Sequence, residues 1–183
     1  NPAAYPGHAE RKKVDPIAAN GEIFIDPTTK QPWPKPDVAL VFSGEQNGYL
    51  EPCGCAGLEN QKGGLKRRFP FLQQLRDKGW NVVAMDLGGQ ETRTGPQAIR
   101  KVNFSYDALI KMGYAAVGFG PGELKLGTDL ETIILNLPDP NPLVSANVAL
   151  GDFNSSSNAY YKIIDIGGGE RGVISGAGKG GNA

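Results

Sequence analysis

The chain has 183 residues, enough for one domain with a substantial core, and its 39% apolar and 21% charged side chains are those of an ordinary globular protein. Nineteen Lys and Arg balance nineteen Asp and Glu, and the short basic runs are Lys12-Lys13 and Lys66-Arg67-Arg68, so no nucleic acid is expected as an obligatory partner. No run of about 18 apolar residues occurs, which excludes a membrane-spanning helical segment.

The chain opens at Asn1 on polar residues; removal of an export signal is the expectation, with a trimmed start as the other explanation. Residues 1–36 form an extended, proline-rich N-terminal arm, because Pro2, Pro6, Pro16, Pro27, Pro32, Pro34 and Pro36 exclude helix and leave one short strand at Gly21–Asp26. Two readings of the arm stand: a loose terminus, or a tether to a partner with Tyr5, Phe24 and Trp33 as apolar anchors.

Regular patterning occupies residues 37–176. Val38 to Phe42 is a continuous apolar run expected in a strand buried on both faces. Leu65, Phe69, Leu72 and Leu75 recur at helical spacing up to Gly79, and Pro70 requires that helix to begin near it or to bend there. Asn81–Asp86 reads as a second strand. A helix follows from Pro96, with Ile99, Val102, Tyr106, Leu109 and Ile110 as its stripe and Gly113 as its end. Ala115–Phe119 is a third strand, Thr128-Asp129-Leu130-Glu131 a capping box opening a helix, and Leu143–Val148 a fourth strand. Tyr160–Ile166 and Gly172–Ser175 form a C-terminal hairpin, and 177–183 is a glycine-rich flexible tail. Alternating strands and helices imply a parallel sheet with helical cover.

The stretch Ser43–Gly57 leaves the carboxyl end of the first strand, where open α/β sheets bind ligands, and is too long for a simple connection. It is the candidate functional loop, with Glu45, Asn47, Tyr49, Glu51, Cys53 and Cys55 as its candidate residues. Cys53-Gly54-Cys55 lacks the spacing of a haem attachment site or a thioredoxin motif, and a zinc site would need ligands beyond His8, the only histidine. A structural pair of thiols or a strained local disulfide is one reading; a redox or ligand-attachment point is the other. The triplets Asn103-Phe104-Ser105 and Asn154-Ser155-Ser156 match the glycosylation pattern, but such matches are frequent by chance and the first lies within a predicted helix; the glycine runs near 167 and 178 read as turns rather than phosphate loops.

Five motifs in order, Gly48-Tyr49-Leu50-Glu51-Pro52, Gly63–Arg68, Val83–Gly89, Met112–Gly120 and Val144–Val148, resemble the metallophosphoesterase domain of the 5′-nucleotidase and UDP-sugar hydrolase family over about residues 37–176. The resemblance implies the N-terminal portion of a layered α/β sandwich and a secreted or periplasmic setting. It also implies two metal ions, but the ligand positions have changed. Glu45 and Asn47 align with the Asp-x-His ligands, Gly89 with the bridging aspartate, and Gly120-Pro121-Gly122-Glu123 with Gly-Asn-His-Glu; the family's later histidines align beyond the chain. Asp86 aligns with a family position other than the bridging one. Glu45, Glu51, Asp86 and Glu123 are weighed as oxygen ligands for a hard cation, against solvated or capping carboxylates.

The leading reading is therefore a noncatalytic extracytoplasmic binding or scaffold module with Gly89, Pro121, Gly122 and Glu123 at degenerate site positions, no catalytic residues, no metal and no cofactor. Its Glu-Pro-Cys-Gly-Cys loop resembles that of degenerate domains beside bacterial multihaem c-type cytochromes, which implies a protein partner, a c-type cytochrome, whose haem iron His8 reaches. The alternatives are a residual metal-dependent phosphoesterase and a thiol redox protein using Cys53 and Cys55.

Overall fold

The structure is a computed structural model that describes residues 24–26, 28–52, 63–149, 158–167 and 169–176. The chain divides into two compact units between Lys35 and Pro36. In the first, Ile25 makes an antiparallel bridge to Pro32, and the rings of Phe24 and Trp33 lie 5.4 Å apart. Tyr5, His8 and half of the short strand expected there lie outside the described residues, as do Cys53, Cys55 and the 177–183 tail.

The second unit runs β1 (Ala39–Ser43), α1 (Leu65–Asp77), β2 (Val82–Asp86), α2 (Pro96–Lys111), β3 (Tyr114–Val117), α3 (Pro121–Leu124), α4 (Thr128–Leu135), β4 (Lys162–Gly167) and β5 (Glu170–Ile174). Strands β1, β2 and β3 form a parallel sheet in that spatial order, and β4 and β5 pair as an antiparallel hairpin. This is the mixed α/β arrangement that the alternating pattern predicts.

Alternation along β2 sorts the core into two layers. Ala84 joins the cluster of Leu72, Val102, Tyr106, Leu109, Leu130 and Ile134 from the helices. Its neighbours Val83 and Met85 pack with Ala116 and Val144 against Ile164, Ile166 and Ile174 of the hairpin. Helices thus cover one face of the sheet and the hairpin the other, leaving the carboxyl ends of the strands to carry loops.

Five expectations are corrected. It is β2, not β1, that is buried on both faces: β1 lies at the sheet edge, and Leu40 and Phe42, paired in register with Val83 and Met85, are 52% and 59% exposed. Helix α1 starts five residues before Pro70 and runs through it. The missing N–H deprives only the carbonyl of exposed Lys66, which water can serve. The buried side of α1 is Leu65, Leu72 and Leu75, with Arg68 half-buried between them, whereas Phe69 is 52% exposed.

The capping box is not formed, because Gly127 at φ 55° is the N-cap and Thr128 is already helical. The fourth strand is reduced to two isolated parallel bridges, Val117 to Leu143 and Val144 to Ala159. A buried Asn141 side chain accepts the Leu143 N–H at 3.0 Å beside the prolines at 140 and 142, which cannot donate to a ladder.

Candidate functional site

Three loops meet at the carboxyl ends of β1, β2 and β3: residues 44–52, 87–91, and 118–120 running into α3. The first two are strapped together by backbone hydrogen bonds in step, from Glu45 N to Gly88 O (2.8 Å), Asn47 N to Gly89 O (2.8 Å) and Gly48 N to Gln90 O (2.7 Å). To make them, Glu45 and Asn47 adopt left-handed backbone angles, φ 49° and 52°. Asparagine tolerates that region and glutamate does so at a cost, a pattern typical of functional loops.

The glycines of these loops mark where backbone meets backbone. A Cβ on Gly89, at φ +81°, would lie 3.0 Å from Glu45 Cα and 3.1 Å from its N. One on Gly120 would lie 2.3 Å from Gly89 N, and one on Gly122 would overlap the carbonyl oxygen of Glu91. Side chains at any of these positions would pry the three loops apart.

Beneath the loops, Asp86 is fully enclosed and each of its oxygens has two donors. Oδ1 accepts from Gly88 N (2.9 Å) and Gln90 Nε2 (2.6 Å). Oδ2 accepts from Ser43 Oγ (2.6 Å) and Arg68 Nη1 (3.0 Å). The other arm of Arg68 donates to buried Gln46 Oε1 at 2.8 Å, and its guanidinium lies 6.0 Å from the centre of the Tyr114 ring. Tyr114 completes the group with its hydroxyl 3.0 Å from Ser43 Oγ. Burial pushes the Tyr114 phenol up, against the bond to Ser43 and the nearby Arg68 charge, so it remains protonated.

Glu91 is a second buried carboxylate. Its Oε1 accepts from the backbone of Thr92 and Arg93, and Oε2 lies 3.7 Å from Lys101 Nζ. Burial is the largest single influence and raises it, but the two backbone donors and the Lys101 and Arg93 charges together hold the carboxyl below its ordinary range. Gly48 sits directly over this pair, with its Cβ position 2.3 Å from Glu91 Oε2, so only glycine closes the strap there.

The structure brings Glu45, Asn47, Gly89, Pro121, Gly122 and Glu123 to one junction. An open cavity of about 550 Å³ over it is lined by Gly44, Glu45, Gly88, Gly89, Gly120 and Pro121 among others. Glu51 stands apart, in a solvent-exposed pair with Lys66 at 3.3 Å, and Tyr49 is 57% exposed. The residues reading by sequence missed are Ser43, Gln46, Arg68, Gln90, Glu91, Lys101 and Tyr114. One signal pointed to Arg68: it shares the helical face of Leu65, Leu72 and Leu75, a spacing at which a cation needs a buried partner.

The donor set does not fit a metal pair. Gly89 has neither a side chain nor room for one, Asp86 is saturated by four donors, and Glu123 is enclosed with one oxygen on Gln90 N at 2.6 Å. Among the described residues no three of His, Cys, Asp and Glu come together as ligands. Glu45, Glu51, Asp86 and Glu123, weighed above as oxygen ligands, are separately engaged or exposed rather than convergent.

This architecture, a parallel sheet with helices on one face and an antiparallel hairpin on the other, is a fold shared with solved nucleotidase structures. No protein-family model matches the chain, and no curated protein matches it in sequence. Among solved structures it is similar to a 5′-nucleotidase precursor from Thermus thermophilus, at TM-score 0.61 and 21% identity over 77% of this chain and 28% of that one. It is also similar to an NAD nucleotidase from Haemophilus influenzae, at TM-score 0.55 and 19% identity over 77% of this chain and 26% of that one. The chain thus spans little more than a quarter of the length of either, and the likeness is one of fold.

Proposed function

We propose that the chain is a noncatalytic binding module built on a nucleotidase-like fold, which uses the Glu45–Gly57 loop to hold a protein partner. The observation that carries this reading is the closure at Gly89, where the position aligned with a bridging ligand is a glycine pressed against the Glu45 backbone. Backbone straps fill the ground between the loops, and an Arg68–Asp86 ion pair takes up the carboxylate beneath them.

The outer surface of the loop suits binding. Tyr49 is 57% exposed and offers an amphipathic ring, and Glu45 and Asn47 are exposed beside it. Sites on a loop braced by a rigid scaffold are well placed for recognition. The resemblance of the Glu51-Pro52-Cys53-Gly54-Cys55 run supports an extracytoplasmic, bacterial setting and a c-type cytochrome as partner, with the module one part of an electron-transfer assembly. In that assembly the 1–36 arm and His8 would reach the partner, and Cys53 and Cys55 would act through loop shape or redox state.

Calorimetric titration with a multihaem c-type cytochrome, using a monohaem one as control, tests this. Binding to the multihaem protein that Tyr49→Ala with Glu45→Lys weakens at least tenfold is the expected result. Binding of neither cytochrome, or binding indifferent to those substitutions, would remove the partner assignment.

A further inference from the structure

Glu123 of α3 is fully buried, and nothing in the binding reading uses its charge. Oε1 accepts the Gln90 N–H at 2.6 Å; Oε2 is enclosed and makes no well-formed hydrogen bond, with the N–H groups of Gly89 and Glu123 near the carboxyl but short of good geometry. Gln90 Oε1 and Tyr106 OH are likewise enclosed without a partner; Gln90 is bonded to Glu123 through its backbone N–H. Native proteins leave few such atoms, so the set calls for an explanation. An ionised carboxylate is only an acceptor and cannot serve an orphan amide oxygen; a carboxylic acid adds a donor, and a hydroxyl can either give or take.

We propose that Glu123 works as a neutral carboxylic acid and is a positioning residue for the candidate functional loop, its Oε2 proton locking the 89–91 loop onto α3 and through it the Glu45–Gly48 strap. Backbone contact makes the coupling direct. Gly120 and Gly122 precede Glu123 and abut Gly89 and Glu91, whose loop carries the acceptors of the strap.

The surroundings favour the acid form. Burial is the largest influence and pushes the Glu123 carboxyl up, the N–H groups of Gln90, Glu123 and Gly89 pull it down, and Asp86 at the end of β2 pushes it up again; the net direction is up. Asp86 is itself paired to Arg68 of α1. From α2 the Tyr106 phenol is raised by burial first and by the Asp86 charge, and stays protonated. Because the folded value lies above the ordinary 4.5, the contribution of Glu123 is complete below that value and is lost as pH rises towards the folded one, the proton passing to water.

The effect on partner binding rests on the reading of the Glu45 loop given above; the protonation state does not, and the two are separately measurable. In protein carrying ¹³C-labelled glutamate carboxyls, one resonance, assigned by its loss in Glu123→Gln, should titrate above the ordinary range. Over the same interval the amide protection factors of Gln90, Glu45 and Asn47 should fall about tenfold per pH unit. They should be flat in Glu123→Gln, which keeps shape and a donor without the charge. A Glu123 resonance titrating at the ordinary value, protection that is flat in the parent protein, or an unchanged slope in the variant would each overturn the proposal. Should the variant fail to fold, assignment by backbone correlation leaves the parent titration decisive.

Discussion

Asp86 and Arg68 show how a charged site can be closed without metal ligands. The carboxylate is fully enclosed, the guanidinium side chain is 15% exposed, and together they reach β1, α1, β2 and the 87–91 loop. Removing one partner of a buried pair leaves an uncompensated charge, which costs far more than the pair contributes against an apolar replacement. Arg68→Ala should therefore destabilise the fold by about 3 kcal/mol in urea denaturation. Asp86→Asn combined with Arg68→Ala should cost clearly less than the sum of the two single changes. Additive costs would mean that the two residues act independently.

At the scale of elements, the helical phase of α1 is the sharpest distinction between pattern and packing. Leu72 is fully enclosed, and Leu72→Ala should cost about 2–5 kcal/mol; Phe69 is exposed, and Phe69→Ala should stay within about 0.5 kcal/mol. Comparable losses at both positions, measured by thermal or urea unfolding, would restore the phase that apolar spacing alone suggests. Leu65, Phe69, Leu72 and Leu75 satisfy the helical period as well as Leu65, Arg68, Leu72 and Leu75 do, and hydrophobicity prefers the first set. The carboxylate of Asp86, eighteen residues on, and the side-chain oxygen of Gln46 turn Arg68 inward.

The same reason separates what was legible in this sequence from what was not. Helix limits set by Pro96, Gly79 and Gly113 are local and could be read directly. So could the hairpin, whose period-two pattern brackets a glycine turn, and the placement of the 44–52 and 87–91 loops at strand ends. The edge position of β1 is a matter of strand order, which no local run encodes, so Leu40 and Phe42 looked like core. Thr128 matched a capping box in spacing, yet Gly127 reaches φ 55° and takes the cap. Of the site, the loops that carry it were visible in the chain, whereas the Asp86 network joins residues up to 71 positions apart and was not.

At the scale of the whole second unit, the described residues form a parallel sheet with helices on one face and a hairpin on the other, and three loops lie at its carboxyl end, where open α/β sheets bind ligands. In this chain the loops close on one another through glycine contacts and backbone bonds. The direct measurement is elemental analysis of the protein after equilibration with manganese, zinc or cobalt, with hydrolysis of p-nitrophenyl phosphate and of AMP followed in the same samples, for the parent and for Gly89→Asp. The expected result is no stoichiometric ion and no turnover above blank in either, with Gly89→Asp less stable by about 1–3 kcal/mol because its side chain meets the Glu45 backbone. Two ions per chain with metal-dependent turnover in the parent protein would contradict it.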